Sequence, residues 1–391
     1  MNAETLAARA TEELARLVAF DTTSRFSNLE LIAYVEALLA DLGIASRRVA
    51  NADGTKANLL ASIGPEVAGG VVLSGHTDVV PVDGQPWTSD PFVLTPRGNK
   101  LYGRGTCDMK GFLALALATA PDFAAGTLKR PVHLAFSYDE EVGCLGAPDL
   151  IAEIAARVPR PSAIIVGEPT GMEAVSGHKG IAAYRVVVTG KEAHSSQTHL
   201  GVSANMAAIR LMTSLSALAE RLEREADPTS PFTPKWPTLT IGLINGGTAL
   251  NILARECIFV FDLRTPPGMD PEAILSGFFA EAEALDAEMK KRFPGVGVVV
   301  ERRSRTPAFA LEPGGAAEAF ARRLAGDNGP TRAVPYAAEA GQFQEAGYSV
   351  VICGPGSIDQ AHQPDEYVEV SQMQRGAAFM VRLVEALSEG E

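Results

Sequence analysis

The sequence predicts a layered α/β domain interrupted by an inserted α+β domain. Over residues 1–178, and again after residue 307, short apolar runs alternate with stretches of helical period, and acidic residues stand where the strands end. Between these regions, residues 182–188 and 257–264 alternate apolar and polar side chains and stand beside two long helical stretches. The chain has 391 residues, more than one ordinary core supports. The expected boundaries are 1–178 with 307–391 for a discontinuous first domain, and 179–306 for the insert.

The elements follow in order. Residues 6–20 carry Leu14, Leu17 and Val18 on one helical face, and a second helix covers 28–42 with Gly43 placed to cap it. Short strands are expected near Arg48 and over 58–63. The stretch "VVLSGHTDVVPVDG" from Val71 then reads as a buried parallel strand with polar groups at its C-terminal end, where open α/β sheets bind ligands. Residues 84–103 read as a loop rich in Gly and Pro. A helix over 110–120, a strand over 132–138 ending in "DEE", a helix over 145–156 and a strand over 163–166 ending in "GEPTG" complete the first half. In the insert, Tyr184, Val186 and Val188 share a face, as do Cys257, Phe259, Phe261 and Leu263. Helices over 203–225 and 271–292 and strands over 238–243 and 296–302 complete that unit. A helix over 315–324, a strand over 348–353 and a last helix over 371–387 return to the α/β style.

Composition narrows the function. A net charge of -13 argues against nucleic acid or an anionic membrane as partner. Cys107, Cys144, Cys257 and Cys353 are scattered and form no C-x-x-C pair, so neither a thiolate zinc site nor a redox pair is expected. Nothing reads as a signal peptide or an apolar run of spanning length, and a cytoplasmic location with reduced thiols is expected.

The chemistry sits in loops after strands: His76 with Asp78, Asp108, Glu140 with Glu141, Glu168, and His362. His76 and Asp78 lie two apart on an extended segment and can face one site, where a carboxylate can fix the tautomer of a ligating ring. Five carboxylates and two imidazoles in one crevice would demand cations, and a pair of divalent metals would meet that demand. Taken singly, each residue has a plainer reading. Asp108 before "MKG" is a helix N-cap, Glu140 and Glu141 a solvated helix start, Glu168 a turn residue and His362 a loop histidine. His133 lies inside an apolar strand and reads as core, His199 as surface, and Cys107 as a small buried filler.

The motifs "SGHTDVVP", "LYGRGTCDMKG", "YDEEVGCLGA", "GEPT", "GKEAHSS" and "GPGSIDQAHQPDEY", with "AAEAGQFQEAG" before the last, resemble the dinuclear zinc family of aminoacylases, carboxypeptidases and deacylases. The resemblance spans nearly the whole chain. It implies a zinc-exopeptidase-like catalytic domain with an inserted dimerisation (lid) domain, hence a homodimer. It also implies two zinc ions, with cobalt or manganese as substitutes. Carried over residue by residue, Asp108 bridges both ions, His76 and Glu168 complete one, and Glu141 and His362 complete the other. Asp78 orients His76, Glu140 is the general base, and a cis peptide follows Asp108. In the insert, His194 polarises the scissile carbonyl, and Asn251 and Arg264 contact substrate. The implied reaction removes an acyl group from an amino-acid nitrogen. N2-acetylornithine is the leading substrate, with succinyl-diaminopimelate or a broader range of N-acyl amino acids as the alternative. Glu339 is expected to meet the side-chain ammonium of acetylornithine. A metal-dependent binding protein without turnover is the rival from another class, and a base beside the ligands argues against it.

Overall fold

The computed structural model describes residues 2–390. The chain divides into two units: Met1–Gly177 with Leu311–Arg332 and Ala338–Glu391, and His178–Ala310 with Ala333–Ala337. Residues 178, 307–310 and 333–337 therefore go with the second unit, where the sequence places them with the first.

In the first unit the strands stand in the order Ser46–Ala50, Ala57–Ile63, Val132–Ser137, Val71–His76, Ala163–Pro169, Val350–Gly354 and Val175–His178. Val71–His76 is parallel to both of its neighbours, and Val350–Gly354 is parallel to Ala163–Pro169. Strands buried on both faces are continuous apolar runs, and Val71–His76 is buried at every residue. The C-terminal ends of four parallel strands thus open on one edge. Helix Lys110–Ala125 packs against this sheet with twelve of its sixteen residues buried. It can lie that close because Gly167 has no side chain: a Cβ there would come within 2.0 Å of the Phe112 ring. Helix Ala3–Val18 starts on the side chain of Asn2, which accepts the Glu4 N–H, and buries Leu6, Leu14 and Leu17.

The second unit is a four-stranded antiparallel sheet in the order Thr238–Gly246, Glu256–Thr265, Gly180–Thr189, Gly297–Thr306. Its inner face carries Tyr184, Val186 and Val188 beside Cys257, Phe259, Phe261 and Leu263, the two alternating sets expected. Helices Ala204–Arg224 and Pro271–Arg292 cover that face, capped by Ser203 and Asp270. Fully burying each of these aromatic rings contributes roughly 1.5–3 kcal/mol.

Three features differ from the sequence reading. The loop 84–103 contains strands Thr95–Arg97 and Lys100–Tyr102, which form a small sheet with Tyr367–Glu369. A six-residue helix, Ala340–Glu345, follows Glu339. Strand Val175–His178 extends the main sheet. Each is too short to leave a periodic signature.

Candidate metal centre

The ends of the parallel strands supply the site. His76 is the last residue of its strand, and Glu168 lies near the end of Ala163–Pro169. Glu140 and Glu141 follow Val132–Ser137 in a turn, and Asp108 precedes helix Lys110–Ala125. His362 comes after Val350–Gly354, in a loop. Two groups of ligand atoms result, and within each the atoms lie within 4.8 Å of one another: His76, Asp108 and Glu168, and Asp108, Glu141 and His362.

Asp108 belongs to both groups through different oxygens. Its Oδ1 is 2.9 Å from His76 Nε2, and its Oδ2 is 3.3 Å from His362 Nε2. Glu168 Oε1 stands 3.7 Å from His76 Nε2, and Glu141 Oε2 3.0 Å from His362 Nε2. The bond from Asp108 to Met109 is cis. Cys107 takes no part in either group; its thiol donates to the Ser357 carbonyl at 3.2 Å.

Asp78 does its work differently from the expectation. The Nδ1 of His76 lies 2.9 Å from the main-chain carbonyl of Asp78, against 3.6 Å for the carboxylate. The carboxylate instead accepts the main-chain N–H groups of Glu140 at 3.1 Å and Glu141 at 3.3 Å, and the Ser24 hydroxyl at 2.6 Å. One residue therefore sets the His76 ring by its backbone and the Glu140–Glu141 turn by its side chain. Glu140 and Glu141 diverge because of this turn, with Asp139 at φ 55°, and not because of strand alternation.

The electrostatics are those of a crowded site with surplus negative charge, buried around His76, Asp108 and Glu168 and open at His362. Burial, with the other acids adding, pushes Glu140 up to about 8 and Glu141 up to about 7. Burial and the neighbouring Asp108 raise Glu168 well above the ordinary range. The hydrogen bonds to Asp108 and Glu141 lift His362 to about 11. At Asp108 burial opposes ionisation, but the bonds from His362 and His76 outweigh it and hold its pKa below the ordinary range. Raised acids beside raised imidazoles mean that the site retains protons to offset its charge. Divalent cations would replace those protons. Glu168 Oε1 is buried with no hydrogen-bond partner, as an oxygen kept for a cation would be. The donor set, imidazole nitrogen with carboxylate oxygen, fits zinc.

Glu140 is in neither group. Its Oε1 accepts the Cys144 thiol at 3.3 Å. Glu339 corrects an expectation. It is 1% exposed, and its two oxygens accept from Ser74 Oγ at 2.5 Å and Ser137 Oγ at 2.8 Å. A buried carboxylate tied to two strands is not placed to meet a substrate ammonium. His133 is core, as expected, with Nδ1 2.8 Å from Ser62 Oγ. His199 is exposed.

His194, Asn251 and Arg264 belong to the second unit. His194 is exposed, and its Nδ1 accepts the Ser196 N–H at 3.2 Å, which leaves the ring proton on Nε2. Asn251 lies beside it, its main-chain carbonyl accepting the Ser195 N–H at 2.9 Å. Arg264 is partly exposed with Nε on Asp262 at 3.0 Å.

Comparison with known proteins adds the relationship. The profile of "Peptidase family M20/M25/M40" matches residues 72–386. The acetylornithine deacetylase of Klebsiella pneumoniae is 40% identical over 318 residues, covering 80% of this chain and 79% of that one. Human carnosine dipeptidase 1 superposes with a TM-score of 0.79 at 19% identity, over 99% of this chain and 98% of that one. Bacillus subtilis YXEP, described as a dinuclear metal binding peptidase, superposes with a TM-score of 0.65 at 16% identity, over 99% of this chain and 100% of that one. Matched along most of its length by that profile and by a relative of this similarity, the chain belongs to peptidase family M20/M25/M40.

Proposed function

We propose that this chain is a dinuclear zinc amidohydrolase that cleaves N2-acetylornithine to ornithine and acetate, a step of arginine biosynthesis. One observation carries the reading. Asp108 offers a separate oxygen to each of two ligand groups, beside a carboxylate, Glu140, that belongs to neither. The choice of substrate is supported by the acetylornithine deacetylase of Klebsiella pneumoniae, 40% identical to this chain.

His76, Asp108 and Glu168 would hold one ion, and Asp108, Glu141 and His362 the other. Zinc suits these donors, with cobalt or manganese as substitutes. When bound, the pair supplies Lewis-acid polarisation of the amide carbonyl and lowers the pKa of a water. Glu140 takes the proton from the attacking water and returns it to the departing amine nitrogen. Burial raises its affinity for a proton, as such a base requires. Asp78 holds Glu140 at the necessary turn through the main chain. His194 offers its Nε2–H to the oxygen that gains charge in the transition state. Arg264, its Nε on Asp262, has the rest of its fork for the substrate α-carboxylate, and Asn251, next to His194 in the second unit, is the other substrate contact in this reading.

The first unit is the catalytic domain in this reading, and the second is a lid through which the chain dimerises. Met206 and Ile209 on helix Ala204–Arg224, and Leu243 and Ile244 on the edge strand Thr238–Gly246, are large exposed apolar side chains in the second unit. An open strand edge and an apolar helix face suit two-fold pairing. The four free, buried cysteines suit a reducing compartment, the cytoplasm. No helix among the described residues is long and apolar enough to cross a membrane.

The test compares turnover of N2-acetylornithine, N-succinyl-diaminopimelate and N-acetylmethionine by protein purified without chelator. The expected result is the highest kcat/KM on N2-acetylornithine and about two ions per chain, as two ligand groups require. A higher kcat/KM on the succinyl compound would overturn the substrate. Full activity at less than about one ion per chain would overturn the paired centre.

A further inference from the structure

Glu366 lies four residues beyond His362 and belongs to neither ligand group. It is 1% exposed, and four donors converge on its carboxylate. Oε1 accepts the main-chain N–H groups of Cys107 at 2.9 Å and Asp108 at 3.1 Å. Oε2 accepts Gly105 N–H at 3.1 Å and Arg104 Nη1 at 2.7 Å. Its own main-chain carbonyl takes the Gly103 N–H at 2.9 Å. The loop from Gly103 to Asp108 is thereby fastened to one residue more than 250 positions away in sequence. Burial raises the pKa of Glu366, yet all four atoms facing its carboxylate are N–H donors, and only the anion satisfies them all.

Its partner reaches the other way. Arg104 is itself fully buried, with its guanidinium over the Trp87 ring. Nη2 donates to Gln85 Oε1 at 2.5 Å, and Nη1 also reaches the Gln363 carbonyl at 3.3 Å. Gln85 Nε2 then donates to the main-chain carbonyl of His362 at 3.0 Å. His362 needs such support, because its φ is 63°, a region a histidine seldom adopts, and no strand or helix holds it. The first group shares Asp108, but its other two members are anchored otherwise. His76 and Glu168 lie within strands of the main sheet, and the His76 ring is pinned by the Asp78 carbonyl.

We propose that the Glu366–Arg104 pair positions ligands of the paired centre, its carboxylate fixing the main chain of Asp108, which both groups share, and its guanidinium, through Gln85, fixing that of His362, which only the second group uses. The proposal rests on the dinuclear reading. It makes Glu366 and Arg104 positioning residues that touch neither metal nor substrate.

The test titrates the metal-free protein with Zn2+ against a chelating dye and resolves two binding steps. Glu366→Gln keeps the shape but turns one acceptor into a donor facing an N–H. Both steps should weaken, because both use Asp108, and the second by more, about 10- to 100-fold. His362→Ala identifies the second step by abolishing it, and adding Glu366→Gln to that variant should still weaken the remaining step. Gln85→Ala, at a partly exposed residue, removes the link to His362 together with the Arg104 and Trp87 bonds to the same side chain, and should weaken the second step alone by about threefold or more. It stands as the test if Glu366→Gln fails to fold. Gln85→Ala shifting both steps equally, or neither variant shifting any step, would overturn the proposal while leaving the paired centre intact. Wild-type protein that takes up only one ion would overturn both.

Discussion

His133 should make the fold sensitive to mild acid, by an amount the structure fixes. Its side chain is 2% exposed in the strand Val132–Ser137, Nδ1 meets Ser62 Oγ at 2.8 Å, and Nε2 has no partner. Burial pushes its pKa down to about 4 from 6.5. The folded state therefore excludes a proton that the unfolded chain binds. The neutral ring carries no penalty above the unfolded pKa, and stability is lost as pH falls from 6.5 towards 4. Linkage over that interval makes the loss about 0.2 kcal/mol at neutral pH and about 2 kcal/mol at about pH 5. The perturbation is His133→Leu, which places an apolar side chain in an apolar slot and leaves the exposed Ser62 hydroxyl to water. The assay is urea unfolding of chelator-treated protein at the two pH values, so that loss of metal does not enter. Between them wild type should lose about 2 kcal/mol more than the variant. Equal losses, within about 0.5 kcal/mol, would mean that His133 is protonated in the fold or hydrated there, and the reading of a dry core histidine would be wrong.

Two further outcomes concern the centre. Glu140→Gln should lower kcat by about 10²–10⁴ while metal content stays normal, and Glu141→Gln should instead lose an ion, as metal analysis beside turnover will read. Metal lost by the first variant and kept by the second would exchange the two roles. Mixing inactive His194→Ala with inactive Glu140→Ala and allowing subunits to exchange should restore up to about half the activity per mixed dimer, because one site then holds both wild-type groups. If exchange is demonstrated and no activity returns, His194 does not act across a dimer.

The parts of the fold that were legible in sequence are those whose signal is local. The alternation of Tyr184, Val186 and Val188 marks a half-buried strand within a few residues, and the sheet places them inside. His76, Asp108, Glu141, Glu168 and His362 were legible because ligand chemistry restricts residue type and each stands at a strand or helix end. What escaped depends on distant partners. Glu339 reads as a partner for a substrate ammonium, but its serines lie 265 and 202 positions away, and nothing near residue 339 announces them. Asp78 reads as the residue that orients His76, yet whether its carbonyl or its carboxylate meets the ring is a matter of backbone geometry. Glu366 carried a weak signal, an acid four positions past a ligand in the same motif, but its five donors come from residues 103–108.

The sharing of Asp108 between two groups also sets an order in time. His76, Asp108 and Glu168 have all been synthesised once residue 168 is made, but the second group waits for His362, nearly 200 residues later, after the whole second unit has been synthesised. The strand Val350–Gly354, which flanks Ala163–Pro169, and Glu366, which fastens Gly103–Asp108, arrive in that same late interval. A nascent chain stalled before residue 350 thus owns every donor of the first group but lacks one donor of the second, together with the segment that would steady it. Any ion captured during translation would enter by the first group, and the pair closes only when the C-terminal fifth of the chain folds back.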